Sequence, residues 1–68
     1  MVKKMTTFLK ENGFTNITYD YCSGDSYYFE GYSDVLQEIR VDIRDKEISI
    51  FDRYITEKHY VHFGSFKL

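Results

Sequence analysis

A single cysteine, Cys22, stands in the chain, and proline is absent. One thiol excludes any disulfide within the chain and suits a reducing compartment better than a secreted one. No apolar run approaches the roughly 20 residues that a membrane-spanning helix needs. The opening segment, Met1 to Lys10, has a basic flank but no apolar run of signal-peptide length, so a cytoplasmic protein made without processing is expected. A phosphate-cradling glycine loop, zinc-ligand spacing, internal repeats and low-complexity linkers are also missing. Lysine and arginine are absent from residues 13–39, which hold Asp20, Asp25, Glu30, Asp34 and Glu38. This acidic block, inside a chain of net charge −2, is the most distinctive feature of the sequence.

Aromatic residues are abundant, with seven Tyr and six Phe among 68 residues. A chain of this length forms one domain, residues 1–68, and buries only about 60% of the surface its unfolded form exposes. Phe can fill so small a core with few side chains, whereas thirteen rings exceed what it can hide. Some Tyr must therefore reach the surface, where Tyr is a common component of binding faces.

Hydrophobic periodicity divides the chain in two. Residues 1–13 read as an amphipathic helix: Met1, Val2, Met5, Phe8 and Leu9 share one arc at 100° per residue, opposite Lys3, Lys4, Lys10 and Glu11. Asn12-Gly13 supplies the stop, and Phe14 can fold back on the last apolar turn. So short a helix suits covering a sheet rather than lying on a membrane. After Gly13 the period becomes two. Residues 15–32 read as a hairpin about Ser23-Gly24-Asp25-Ser26, with Ile17, Tyr19 and Tyr21 on one face. Gly31 marks a bulge or a strand end. Residues 33–37 fit either a short helical turn or an extended link.

Residues 38–53 form the clearest hairpin. Folding at Asp45-Lys46 pairs Ile43 with Ile48 and Val41 with Ile50, and sets Arg44 opposite Glu47. The alternation slips after Ile50, which predicts a bulge or strand edge at 51–53. Residues 58–66 give the last strand, with Val61 and Phe63 on one side and Tyr60, His62 and Phe66 on the other. The expected fold class is α+β: an N-terminal amphipathic helix packed on one face of a four- to five-stranded antiparallel sheet. A last strand apolar on both sides, in a protein with a small core, also predicts a homodimer.

Catalytic readings find little support. His59 and His62 would point to opposite faces of a strand, which makes them poor metal partners. Cys22 has no basic neighbour in sequence to lower its pKa. No carboxylate pair sits in a motif, so neither an enzyme nor a cofactor is expected.

Two surfaces remain. Asp20, Asp25, Tyr28, Glu30, Tyr32 and Asp34 could dock a basic protein, with charge speeding encounter and Tyr anchoring contact. In size and style the chain is similar to small acidic, aromatic-rich proteins of phages and mobile elements that block a host nucleic-acid-handling or defence protein. The expected function is accordingly that of a non-catalytic inhibitor acting by protein–protein contact. The alternative is a single-strand or RNA binder using Arg40, Arg44, Arg53 and Lys58 among Phe51, Tyr54, Tyr60 and Phe63. Against it stand the net charge and the alternation of Arg40 and Arg44 with Glu38 and Asp42.

Overall fold

The computed structural model describes residues 1–67; position 68 of the expected domain lies outside the described residues. Helix α1, Val2–Glu11, buries Met5 and Leu9 and half-buries Val2 and Phe8, the arc that its periodicity marks. Met1 stays largely exposed. The helix ends in two reverse backbone bonds, Gly13 N–H to Lys10 O and Phe14 N–H to Leu9 O. Gly13 supplies the φ of +94° that this ending requires and that a side chain resists. Phe14 is thereby swung back under the helix and is 1% exposed.

Five strands follow: β1 (Thr15–Ser23), β2 (Ser26–Ser33), β3 (Val35–Arg44), β4 (Glu47–Tyr54) and β5 (Val61–Lys67). They form one antiparallel sheet in the order β1-β2-β3-β4-β5, a meander in which every neighbour in sequence is a neighbour in space. The β3–β4 hairpin has the expected register, with Ile43 opposite Ile48, Val41 opposite Ile50 and Arg44 opposite Glu47. Its turn residues, Asp45 and Lys46, both have positive φ, the geometry that matches a two-residue loop to the twist of its strands.

The inner face of the sheet carries Phe29, Ile39, Val41, Ile48 and Ile50, and these join Met5, Leu9 and Phe14 in one buried cluster. At Gly31 the backbone itself is the packing surface. A Cβ built there would lie 3.1 Å from Ile39 Cδ1 and 3.4 Å from Ile17 Cγ1. Gly31 is not a strand end: it stands opposite an irregularity of β1 between Thr15 and Thr18, and it makes room inside its own strand for two isoleucines.

Several expected boundaries and faces change. The helix is shorter than 1–13, and the last strand runs 61–67 rather than 58–66. Residues 33–37 are neither a helical turn nor a link. Asp34 alone, with φ +71°, reverses the chain between paired Ser33 and Val35, so β3 begins three residues before 38. Tyr21 does not share a face with Tyr19. An irregularity at Asp20 sets Tyr19 opposite Phe29 on the inner face and Tyr21 opposite Tyr28 on the outer one. The break in alternation expected at 51–53 falls on the neighbouring strand. β4 stays in register with β3, and the extra residue is Phe63, between the pairs Ile50–Gly64 and Phe51–His62. It re-phases β5, so Phe66 packs inward against Phe8, with ring centroids 5.8 Å apart, while His62 stays outside. The last strand is an edge strand, with Val61 and Phe63 exposed.

Asp52 consequently takes a place among apolar residues, opposite Ile39 and Val61. Burial pushes its carboxyl above the usual pKa.

Two predictions follow from this packing. Gly31→Val should destabilise the protein by about 1–3 kcal/mol, because two methyl groups must displace Ile17 and Ile39. An unchanged urea midpoint would show that these side chains yield freely. In the unfolded chain the Asp52 carboxyl ionises near pH 4. In the fold it ionises at higher pH, so the stability it contributes is present in acid and lost as pH rises through the folded value. Asp52→Asn should therefore gain stability over the parent between acid and neutral pH; midpoints that differ equally at both would contradict this.

Candidate functional site: the open face of the sheet

The outer face of the sheet has no helix over it, and its side chains fall into cross-strand rows. One row runs Tyr21–Tyr28–Arg40–Phe51–His62 across all five strands. A second, one step along, runs Thr18–Glu30–Glu38–Arg53, and a third runs Ser23–Ser26–Asp42–Ser49–Ser65. Strand alternation sends these residues outward because their neighbours are the apolar core set.

Rings and guanidinium groups layer on one another in the first row. Tyr21 and Tyr28 stack at 4.6 Å with an interplanar angle of 13°. Arg40 lies 4.3 Å from the Phe51 centroid and 5.1 Å from that of Tyr60, which reaches over the face from the loop before β5. Arg53 approaches Tyr60 from another position at 4.5 Å, and Tyr28 meets Tyr60 edge-on at 6.5 Å. Each cation–ring contact adds about 0.5–1 kcal/mol at a partly exposed site. Burial raises the Tyr60 hydroxyl pKa, against a smaller opposing pull from Arg53.

Both arginines are also paired with carboxylates. Arg53 Nη2 lies 3.2 Å from Glu38 Oε1, which holds the guanidinium more firmly protonated, and Arg53 Nη1 donates to Lys58 O at 2.9 Å. Arg40 Nε lies 3.2 Å from Asp42 Oδ1. That contact is electrostatic only, because the buried Arg40 Nε–H has no aligned acceptor. Ser26 Oγ completes Asp42, donating to Oδ1 at 2.7 Å.

Glu30 is the exception to this pairing. It stands opposite Glu38 across β2 and β3, and Glu38 alone has an arginine. Among the described residues no cation pairs with Glu30. Like charges in direct opposition destabilise a sheet.

The six residues singled out for partner binding divide by position. Tyr28, Glu30 and Tyr32 share the open face. Asp20 sits at the irregularity on the β1 edge. Asp25 lies in the β1–β2 turn, where its carbonyl accepts Ile43 N–H, and Asp34 turns the chain at the opposite end of β2. Asp34 has a local reason to be there, since Asp tolerates positive φ better than most residues. Tyr21, Tyr60 and Phe51 complete the site. An irregular strand moved Tyr21 across the sheet, and Tyr60 arrives from a loop.

Arg40, Arg53 and Phe51, read in the sequence as part of a separate basic surface, belong to this same face. Arg44 lies at its corner, while Lys58 is in the loop. Phe63 is on the other side, 5.4 Å from Phe14. His62 faces outward against Phe51 and His59 lies in the loop; no three His, Cys, Asp or Glu among the described residues form a metal-holding group. Cys22 is exposed, and no helix among the described residues is long and apolar enough to cross a membrane.

Glu30→Lys should replace repulsion from Glu38 by attraction and raise stability by roughly 0.2–1 kcal/mol. A lower thermal midpoint for this variant would mean that Glu30 has a stabilising contact of its own.

Compared with known proteins, the chain matches no family model, and no curated protein or solved structure is similar enough to be identified as a relative.

Proposed function

We propose that the protein is a non-catalytic binding module that engages a basic protein surface through the open face of its sheet. The observation that carries this reading is the opposition of Glu30 to Glu38 on an uncovered aromatic face. A lysine or arginine brought between the two carboxylates relieves a repulsion that the free protein bears, so the face gains most from a cationic partner. Tyr21, Tyr28, Tyr32 and Tyr60 supply contact area at small entropic cost, with Asp20, Asp25 and Asp34 at the periphery to steer encounter. Where the basic surface is the nucleic-acid groove of another protein, the module acts as an inhibitor by occupying it. The lone thiol suits work in the cytoplasm.

Direct binding of a nucleic-acid strand is the weaker reading. It needs free cations, and Arg40 and Arg53 are each held by a carboxylate of this face.

The test compares immobilised parent protein with the Tyr28→Ala/Glu30→Lys variant in nuclease-treated cell lysate. The parent should retain a basic protein that the variant depletes at least tenfold, and the contact should weaken as salt is raised. Retention equal for both proteins, or capture that disappears on nuclease treatment, would remove the basis for this assignment. The variant's thermal midpoint separates lost binding from lost folding.

A further inference from the structure

The helix leaves one corner of its own face of the sheet uncovered. There the row that starts at Gly31 continues through Gln37 to Tyr54, beside the row Ile39–Asp52–Val61. The loop after β4 borders this corner. Glu57 N–H donates to Tyr54 O at 2.9 Å, and Arg53 Nη1 donates to Lys58 O. Between them lies an open cavity of about 350 Å³, lined by Gln37, Asp52, Arg53, Tyr54 and Val61 from the strands and by Glu57 and His59 from the loop.

Apolar exposure is concentrated at this end of the sheet. Val35 opens β3, Tyr54 closes β4, Val61 opens β5, and Phe63 and Ile55 lie just beyond; all five are exposed. Val61, at 66%, is the most exposed large apolar side chain among the described residues. Apolar residues gathered in this way mark contact surfaces. A fold with eight fully buried apolar residues has a small core, and small folds gain stability by association.

Charge, shape and strand geometry each select the occupant. The corner carries both signs: Asp52 and Glu57 are acidic, Lys58 in the same loop is basic, and the Arg53 guanidinium is held by Glu38. Such a surface has no preference for an acidic or a basic partner, but it is complementary to itself across a two-fold axis. It also holds a hollow and, in the loop beside it, the exposed Ile55. The extra residue at Phe63 interrupts the β5 edge and discourages addition of another strand there, which leaves contact face to face.

We propose that this corner is the contact surface of a symmetric dimer, covered by the same corner of a second copy of the chain. The two-fold axis sets Glu57 toward the partner's Lys58 twice, brings each Ile55 to the opposite cavity, and packs Val61 and Tyr54 against their counterparts. A stable interface takes about 800 Å² from each partner, roughly a sixth of the 4682 Å² surface of the protein. A contact confined to one corner is of that size or below, so the dimer is a reversible one. The surface lies on the opposite side of the sheet from the open face and does not depend on the function proposed for it.

The experiment is light scattering of the isotope-labelled protein from micromolar to millimolar concentration, with amide chemical shifts recorded over the same series. The mean mass should rise from that of the 8.2 kDa chain toward twice that value and stop there. Shifts should move with concentration at Val35, Gln37, Tyr54, Ile55, Glu57 and Val61, and stay fixed at Tyr21, Tyr28 and Glu30. Val61→Glu should weaken association at least tenfold, and Glu57→Lys about threefold, each with an unchanged thermal midpoint at micromolar concentration. If Val61→Glu does not fold, Ile55→Asp, in an exposed loop, replaces it with the same expected loss. A chain that stays monomeric at millimolar concentration would overturn the proposal and leave the corner to a different partner. Growth beyond the dimer, concentration-dependent shifts on the open face, or association unaffected by the substitutions would overturn it equally.

Discussion

A single short helix has to cover a five-stranded sheet. Ten helical residues extend about 15 Å, whereas five strands side by side span about 19 Å and run longer still along their own direction. The helix can protect only the middle of one face, and the chain places its fully buried residues there. All else about the molecule follows from that shortage of cover. One face of the sheet has no helix over it, and the other face is left open toward its margin, with Val35, Tyr54, Ile55, Val61 and Phe63 all exposed. The turn at Gly13 aims this cover, because it fixes the path by which the chain leaves the helix and enters β1.

The open face resolves an apparent rivalry within the sequence. The acidic, tyrosine-rich first half and the more basic second half are not two surfaces, since the meander interleaves them in cross-strand rows. Carboxylates of β3 are shared between arginines of β3 and β4, and rings from β4 and the following loop lie against those arginines. At their partial exposure the ion pairs are worth roughly 0–1 kcal/mol each, so their effect is mainly to fix orientation and to occupy the guanidinium groups. The charge left without a partner is negative and lies toward β2. That excess, more than the abundance of tyrosine, gives the face a preference between partners of opposite charge.

Irregular strands set which residues reach each surface. An interruption at Asp20 carries Tyr21 to the outer face, and the extra residue Phe63 brings both Phe63 and Phe66 to the core side. Both lie on edge strands, where bulges are most common and also discourage pairing with another chain. Asp52 records the opposite case. Its strand remains regular, so the carboxylate is held on the apolar face, and the cavity at that corner forms around it.

Local chemistry in the sequence was enough to determine the helix, its glycine stop, the β3–β4 hairpin with its register, and the α+β class. Each depends on contacts between residues close in the chain: a 3.6-residue stripe, a left-handed glycine, an alternation of Ile and Val about a two-residue turn. It was also enough to mark Tyr28, Glu30 and Tyr32 as surface residues of one strand. Tertiary structure alone decided that Arg40, Phe51 and Tyr60 join them, that Tyr21 crosses the sheet, and that Gln37, Asp52 and Glu57 surround one cavity. Those outcomes turn on bulges and on a loop path. A one-residue shift exchanges the faces of a strand, and the energy that selects it comes from partners on other strands.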